Sequence, residues 1–499
     1  MNKKSTVGAA VAVAVLAYGG ATWYTGEQAR KSYEDTVQEV KKFLGPQAVL
    51  SHQYKRGFWV SDAQMVLQWS PPEIEATDGV PPLKPVRVVV NSTVRHGPLA
   101  GARVAAAVVE TRFSAEGMDD IVRGLLARTS APTLTTVHHL TGGGDLTFSL
   151  PAGEVGMEGG AMARWQAMTH QMNFNADRSQ VSGTVDWPEL SLSSIPAQAS
   201  GADDSDDGEE EEVEEVEEGQ ERGGPDTARP GAVNLTTLTL KGASGDFNVQ
   251  LQDGLWMIGP GKVNGRIDQF AMTSVKGQTP AQSVFSLQDL VYNTVLERTG
   301  ETLGWTTKAQ SKGRLGSLVF DALGLEENAS RIDVEVLKRA QQAMVAFYRV
   351  DPGQAEKVVA SQWQATMLEV APRFVAALPA YNMKMSGTLE GQQGEMEYGA
   401  RIDQAPSADE VRLGGWAPAL LRGSVVHANL RLPKAWLLRM AQTADEPAVP
   451  GNQIDGWVGM AKAQGFVLEE GDFLVSAVQF KGDKLQLNGK EMKLPGMPR

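Results

Sequence analysis

Between Ser5 and Gly26 the chain carries 22 consecutive uncharged residues, and that run sets the frame for everything after it. At about 1.5 Å per residue, a helix of this length spans a hydrocarbon core of roughly 30 Å. Lys3 and Lys4 precede the run, and Trp23 and Tyr24 near its far end are residue types that favour the headgroup level. Residues 1–26 are therefore predicted to cross a membrane once as a retained signal-anchor, with a soluble body beyond. The run is rich in Ala, Val and Gly, so it is only moderately apolar. A second reading is a cleaved signal peptide, because Ala17-Tyr18-Gly19 has the small-x-small form of a peptidase site. Arg30, Lys31, Lys41 and Lys42 lie beyond the run and do not favour an inside N-terminus by charge count. Long domains are exported largely regardless of such charges, and the short basic start still reads as an export signal.

A juxtamembrane amphipathic helix is expected over 27–46. Ala29, Tyr33, Val37, Val40 and Leu44 recur at spacings of four, four, three and four, which makes one helical face, and Gly45-Pro46 stops it. That face has two readings: docking onto the body, or self-association of anchors into a homo-oligomer.

Beyond it, strand patterns dominate. The fold class expected is α+β: one N-terminal transmembrane helix, then a strand-rich body of long antiparallel sheet with a few packed helices. The first half spans 47–196 and contains β-branched runs such as Val86–Val90, a short helix at Met118–Arg128, a turn at Gly142–Asp145 and a hairpin about Asp177–Ser179. The second half spans 233–499, with helices near 333–378 and 434–463 and a final hairpin turning at Gly482-Asp483. Between them, 197–232 reads as an acidic disordered linker or loop. Asp203–Glu218 alone holds twelve acidic residues, and subtracting them from the chain's −14 leaves −2. The folded remainder is nearly neutral, which argues against nucleic acid as a partner.

The chain has no cysteine, so disulfides, thiolate metal sites and cysteine nucleophiles are excluded. The six histidines show no His-Glu-x-x-His, and His138 and His139 are adjacent, pointing to opposite faces of a strand. There is no Gly-x-Ser-x-Gly elbow, and Gly259-Pro260-Gly261-Lys262 lacks the spacing of a phosphate loop. Asp186 and Glu189 flank Trp187-Pro188, where a solvent-facing turn explains them. No catalytic residue, cofactor or metal ligand is assigned.

Several dispersed pieces are nevertheless specific in their order. They are Tyr24-Thr25-Gly26, Tyr54-Lys55-Arg56-Gly57-Phe58-Trp59-Val60-Ser61, His96-Gly97-Pro98, Asn175-Ala176-Asp177 and, after the helix of Trp436–Met440, the stretch Leu485–Leu494 with Asn488-Gly489. In this order they resemble the YdgA-like family of bacterial envelope proteins, a domain of unknown function (DUF945). The resemblance implies an inner-membrane anchor with a periplasmic body; it supplies no activity and no catalytic residues. Tyr54, Arg56, Gly57, His96, Gly97, Pro98, Asn488 and Gly489 thus stand as family-like positions of unknown role. Gly57 and Gly97 are candidates for positive φ or close backbone approach. Arg56 suits either an anionic headgroup or an ion pair and aromatic contact within the fold.

Three functions follow as expectations. The first is a non-enzymatic envelope protein that binds a lipid or another amphipathic ligand. The second is a self-associating scaffold using Tyr33, Val37, Val40 and Leu44. The third is an envelope hydrolase without a recognisable motif, which a pocket joining His96 or His170 to carboxylates would favour.

Overall fold

The computed structural model describes residues 3–69, 86–116, 130–156, 161–194, 234–251, 259–276, 282–347, 355–407, 409–410, 415–443, 451–482 and 484–492. The helix expected at Met118–Arg128, the acidic segment 197–232, Asp351-Pro352-Gly353 and Asp483 lie outside these residues.

One helix, α1 (Lys3–Leu44), replaces the two segments expected at 1–26 and 27–46. Among the described residues no helix is long and apolar enough to cross a membrane. The physical reason lies in the composition noted above: Ala, Gly and Thr dilute the run. Its second half, moreover, packs on the body: Thr22 is fully buried. Gly45 (φ 92°) ends α1 as expected, and a short 3-10 turn, Pro46–Ala48, leads into the sheet.

The strands follow almost in sequence. They begin with β1 (Val49–Lys55), β2 (Val60–Trp69) and β3 (Val86–His96), then a small hairpin of β4 (Leu99–Ala100) and β5 (Arg103–Val104). Next come β6 (Ala107–Glu116), β7 (Thr133–His138), β8 (Gly144–Leu150), β9 (Gly153–Gly156), β10 (Met162–Trp165), β11 (Met168–Phe174) and β12 (Gln180–Ser194). The longest strands are β13 (Asn234–Gln250), β14 (Gly261–Lys276), β15 (Gln282–Thr299), β16 (Thr302–Leu315) and β17 (Leu318–Asp333). Helices α2 (Val334–Phe347) and α3 (Ala355–Ala376) intervene before β18 (Ala380–Leu389) and β19 (Gln392–Ile402). The chain closes with α4 (Trp416–Gly423), β20 (Ser424–Pro433), α5 (Lys434–Thr443), α6 (Gly451–Ala463), β21 (Leu468–Glu470), β22 (Phe473–Lys481), β23 (Lys484–Leu487) and β24 (Lys490–Met492).

All but β4 and β5 join one 22-stranded sheet. The two halves flanking the acidic segment are hydrogen-bonded partners within it, because β12 pairs antiparallel with β13 from Gln180↔Gln250 to Ser194↔Thr236. The turn expected at Asp186–Glu189 is absent: these residues sit inside β12. Pro188, which has no N–H to give, lies opposite Gly242 (φ 61°) in a gap of that ladder.

Strand alternation divides the sheet into two unlike faces. One cross-strand row runs Phe174, Val181, Val249, Gly261, Leu296, Trp305, Ala329, Tyr381, Ala400, Val426, Phe480, Leu485, with every side chain apolar or absent save the Tyr hydroxyl and the Trp N–H. On the opposite face, Gln171, Thr184, Asp246, Asn264, Asn293, Lys308, Glu326, Lys384, Glu397 and Asn429 align. These polar residues bond along the row, as Asn264 to Asp246 at 2.8 Å and Lys308 to Glu326 at 3.6 Å.

The described helices sit on the apolar face, toward the two ends of the strand series. Val37 of α1 is fully buried against Val49 and Met65. At the other end Leu303 packs on Val334 of α2, while Trp436 of α5 fills the space between Leu318 and Leu389. Asp333 caps α2 by accepting the N–H of Glu335 at 2.8 Å and of Val336 at 3.2 Å. It also accepts from Arg373 of α3 at 3.2 Å. Glu469, held between Lys434 and Lys462, has its carboxyl lowered to about 2 by those two hydrogen bonds and ties α5 and α6 to β21.

Helix α1 touches α2 as well as β1–β3 and β6. Nine strand spacings separate β6 from β17 along the sheet, roughly 43 Å at about 4.8 Å each if it were flat. Since α1 runs along β2 and β3 rather than across the sheet, that contact requires a sheet that curls with its apolar, helix-bearing face inward.

Candidate functional site

Six of the eight family-like positions converge where α1 meets β1–β3. His96 is 2% exposed and Ser61 is 1% exposed. The Phe58 carbonyl, 2.9 Å from His96 Nδ1, can only accept, so Nδ1 carries the proton. Nε2 then accepts from the Ser61 hydroxyl at 3.0 Å, and Ser61 accepts the Gly57 N–H at 3.2 Å. The imidazole is thus a fully paired strut under the 55–61 loop. It lies against α1 at Gly26, where a Cβ would stand 2.7 Å from Nδ1, so only glycine allows the approach.

The loop after β3 is fixed to the same helix. Thr25 Oγ1 donates to the Gly97 carbonyl at 3.2 Å, and the Gly97 N–H donates to Ala106 at 2.8 Å. Pro98, joined to Gly97 by a cis bond, follows the end of β3. Gly57 and Gly97 serve close backbone approach rather than positive φ: a Cβ would fall 2.0 Å from the Val60 oxygen and 1.9 Å from the Ala105 oxygen.

Arg56 completes the junction from the outside. It reaches Glu27 at 2.9 Å and the Trp23 carbonyl at 3.1 Å, with its guanidinium 5.1 Å from the Trp23 ring. The ion-pair and aromatic reading of Arg56 is the one seen. Arg30, hydrogen-bonded to Glu27 at 2.6 Å, and then Arg56 hold the Glu27 carboxyl below the usual carboxylate range. The Tyr54 ring lies 5.4 Å from that of Tyr33, tilted by 38°, and burial pushes its phenol up.

The expected self-association face meets the body here. Val37 is buried, Tyr33 and Val40 pack on the same cluster, and the Tyr33 hydroxyl donates to Gln64 O at 2.7 Å. Leu44 closes the helix beside it. This is the docking alternative, and it leaves the face under α1 committed to the sheet.

Asn488 and Gly489 lie far from this junction. They form the β23–β24 turn with φ of 50° and 75°, the left-handed pair that an Asn-Gly hairpin supplies. Asn488 also bonds Ala477 through backbone and side chain and donates to Gly465 O at 2.8 Å, locking β22 to the end of α6.

Sequence reasoning missed Ser61, Thr25, Gly26 and Glu27 as working parts. The first three stand inside the quoted motifs. Glu27 gave no signal, since only the fold places it beside Arg56.

Among the described residues His96 touches no carboxylate and His170 stacks on Phe247 at 5.9 Å, while His139 meets Asp145 at 2.8 Å and His427 meets Glu397 at 3.6 Å as separate pairs. Among the described residues no group of three or more His, Asp and Glu is placed to hold a metal ion. Hollows of about 280 to 430 Å³ lie over the polar face, bordered by mutually paired groups such as Lys384 and Glu395.

The second candidate is the apolar face between its helix-covered ends. Phe148, Met172, Phe247, Val263 and Tyr292 are only half-buried, and Met396 and Tyr398 remain 38% and 39% exposed. No helix makes substantial contact with β8 or β11–β14 among the described residues. Apolar side chains therefore line a continuous stretch of this face that the described helices do not cover.

Neither a curated protein nor a solved structure matches this chain. A family model described as a bacterial protein of unknown function (DUF945) matches residues 1–495, nearly the whole length. The chain belongs to the DUF945 family.

Proposed function

We propose that this protein is a non-enzymatic binding protein of the bacterial envelope, held at the inner membrane by α1 with its body in the periplasm. Its curled sheet takes an amphipathic ligand, a lipid, on the open apolar face. The observation that carries this reading is the apolar row where it crosses β11–β14, strands with which no helix makes substantial contact among the described residues, backed by an opposite face that is polar along the same strands. Lipid chains need a continuous apolar surface and no directional chemistry, which fits a face lined by Phe148, Met172, Phe247 and Tyr292.

Retention of the helix is supported by its packing. Tyr18 packs 5.5 Å from Trp59 and Gly19 lies against Phe58, so cleavage near Gly19 would remove this part of the junction.

The test is mass spectrometry of the full-length chain extracted in mild detergent, under native and then denaturing conditions. Lipid released on denaturation from the native protein, and lost from Met172→Glu, supports the reading. A chain that keeps its N-terminus but carries no lipid sinks the ligand assignment.

A further inference from the structure

The end of the sheet through which α1 leaves carries exposed apolar side chains on three successive connections. The β1–β2 loop presents Phe58 and Trp59, 47% and 53% exposed. The β4–β5 hairpin presents Leu99 and Val104, 52% and 71% exposed, and the β7–β8 turn presents Leu140 at 53%. Register puts these tips at one edge of the body: His96 pairs with Ala107, Ala107 with His138, and His138 with Gly144. Lys55 and Arg103 stand exposed beside them.

The loop also climbs α1. Phe58 lies 3.8 Å from the Cβ position of Gly19, and the Trp59 ring is 5.5 Å from Tyr18. Tyr18 is six residues nearer the N-terminus than Tyr24, so Trp59 sits about 9 Å farther along the helix than the Trp23–Tyr24 pair.

We infer that this rim is a bilayer-contacting collar: Phe58 and Trp59 enter the outer leaflet beside α1, and Leu99, Val104 and Leu140 rest at its surface. The inference rests on the membrane reading proposed above. A lipid bilayer is the occupant because Phe58 and Trp59 flank the uncharged run where it leaves the body, and because exposed Lys55 and Arg103 stand beside the apolar tips, as suits anionic headgroups. It also answers a deficit. A run diluted by Ala, Gly and Thr is a weak anchor by itself, and apolar loop area entering the interface adds to it.

The chain lacks cysteine, so single cysteines can be placed without background. Trp59→Cys, Val104→Cys, Tyr24→Cys and the polar-face control Asn293→Cys are labelled with an environment-sensitive NBD dye. Each full-length variant is reconstituted into phosphatidylcholine–phosphatidylglycerol vesicles carrying doxyl lipids. The expected result is strong quenching at 59 and 104 and none at 293, with mid-chain doxyl quenching 59 more than 24 and headgroup-level doxyl the reverse. Variants that float with the vesicles but show quenching at 59 and 104 no greater than at 293 overturn the collar and leave the anchor standing. Variants that do not float overturn both.

Discussion

The sheet under α1 and the sheet across β11–β15 are built from the same alternating pattern, yet they end in different states. Under α1, Val37, Val49 and Met65 are closed off from water and form a core. Across β11–β15 the equivalent positions, Met172, Phe247, Val263 and Tyr292, stay half-buried, and no helix among the described residues makes substantial contact with β11–β14. Alternation therefore specifies which face is apolar. Whether that face becomes core or binding surface depends on what packs against it.

The sharpest way to break this comparison is to place a charge on each side of it. Val37→Asp buries an unpaired carboxylate and is expected to cost at least about 3 kcal/mol in urea unfolding. Met172→Asp, on a half-open face, is expected to cost about 1 kcal/mol or less while abolishing lipid retention. Equal losses at the two positions would mean that the middle face is packed after all.

A smaller effect separates two glycines of α1. Gly26→Ala drives a Cβ against the His96 ring and is expected to cost about 2 kcal/mol. Gly20→Ala meets open space and is expected to be neutral or slightly stabilising. If both are neutral by thermal or urea unfolding, the junction is looser than its hydrogen bonds indicate.

The smallest expected effect marks the border of the covered region. Burial of His138 against Phe174 lowers its pKa, so the folded protein holds it neutral. As pH falls below about 6.5 the unfolded chain takes up this proton first, and stability falls with it, by at most about 1.4 kcal/mol per pH unit. His138→Asn should flatten that acid limb between pH 5 and 7. An unchanged slope would show that water reaches the ring and that the open face begins one strand earlier.

Much of this was legible. The strands, the stop at Gly45-Pro46 and the stripe of Tyr33, Val37 and Val40 are local features, set by side-chain period and turn chemistry, whereas the Asn488-Gly489 turn that splits the last strand in two was not read. The junction was half legible: His96, Arg56 and Gly97 were marked by the resemblance, but their partners were not. Ser61 and Glu27 lie 35 and 29 positions from the groups they bond, and no local rule links such distances. Trp187-Pro188 misled because proline usually ends a central strand; here the left-handed Gly242 opposite absorbs the gap.

By itself the sequence determined an uncharged N-terminal helix, a long amphipathic antiparallel sheet and the absence of thiol chemistry, since these follow from composition and from periods of two and 3.6 residues. Only the tertiary structure decided that the halves on either side of the acidic segment pair through β12 and β13, that the sheet curls, and that the described helices close its ends. Those outcomes depend on contacts between residues far apart in the chain, whose free energy arises only when the whole sheet has formed.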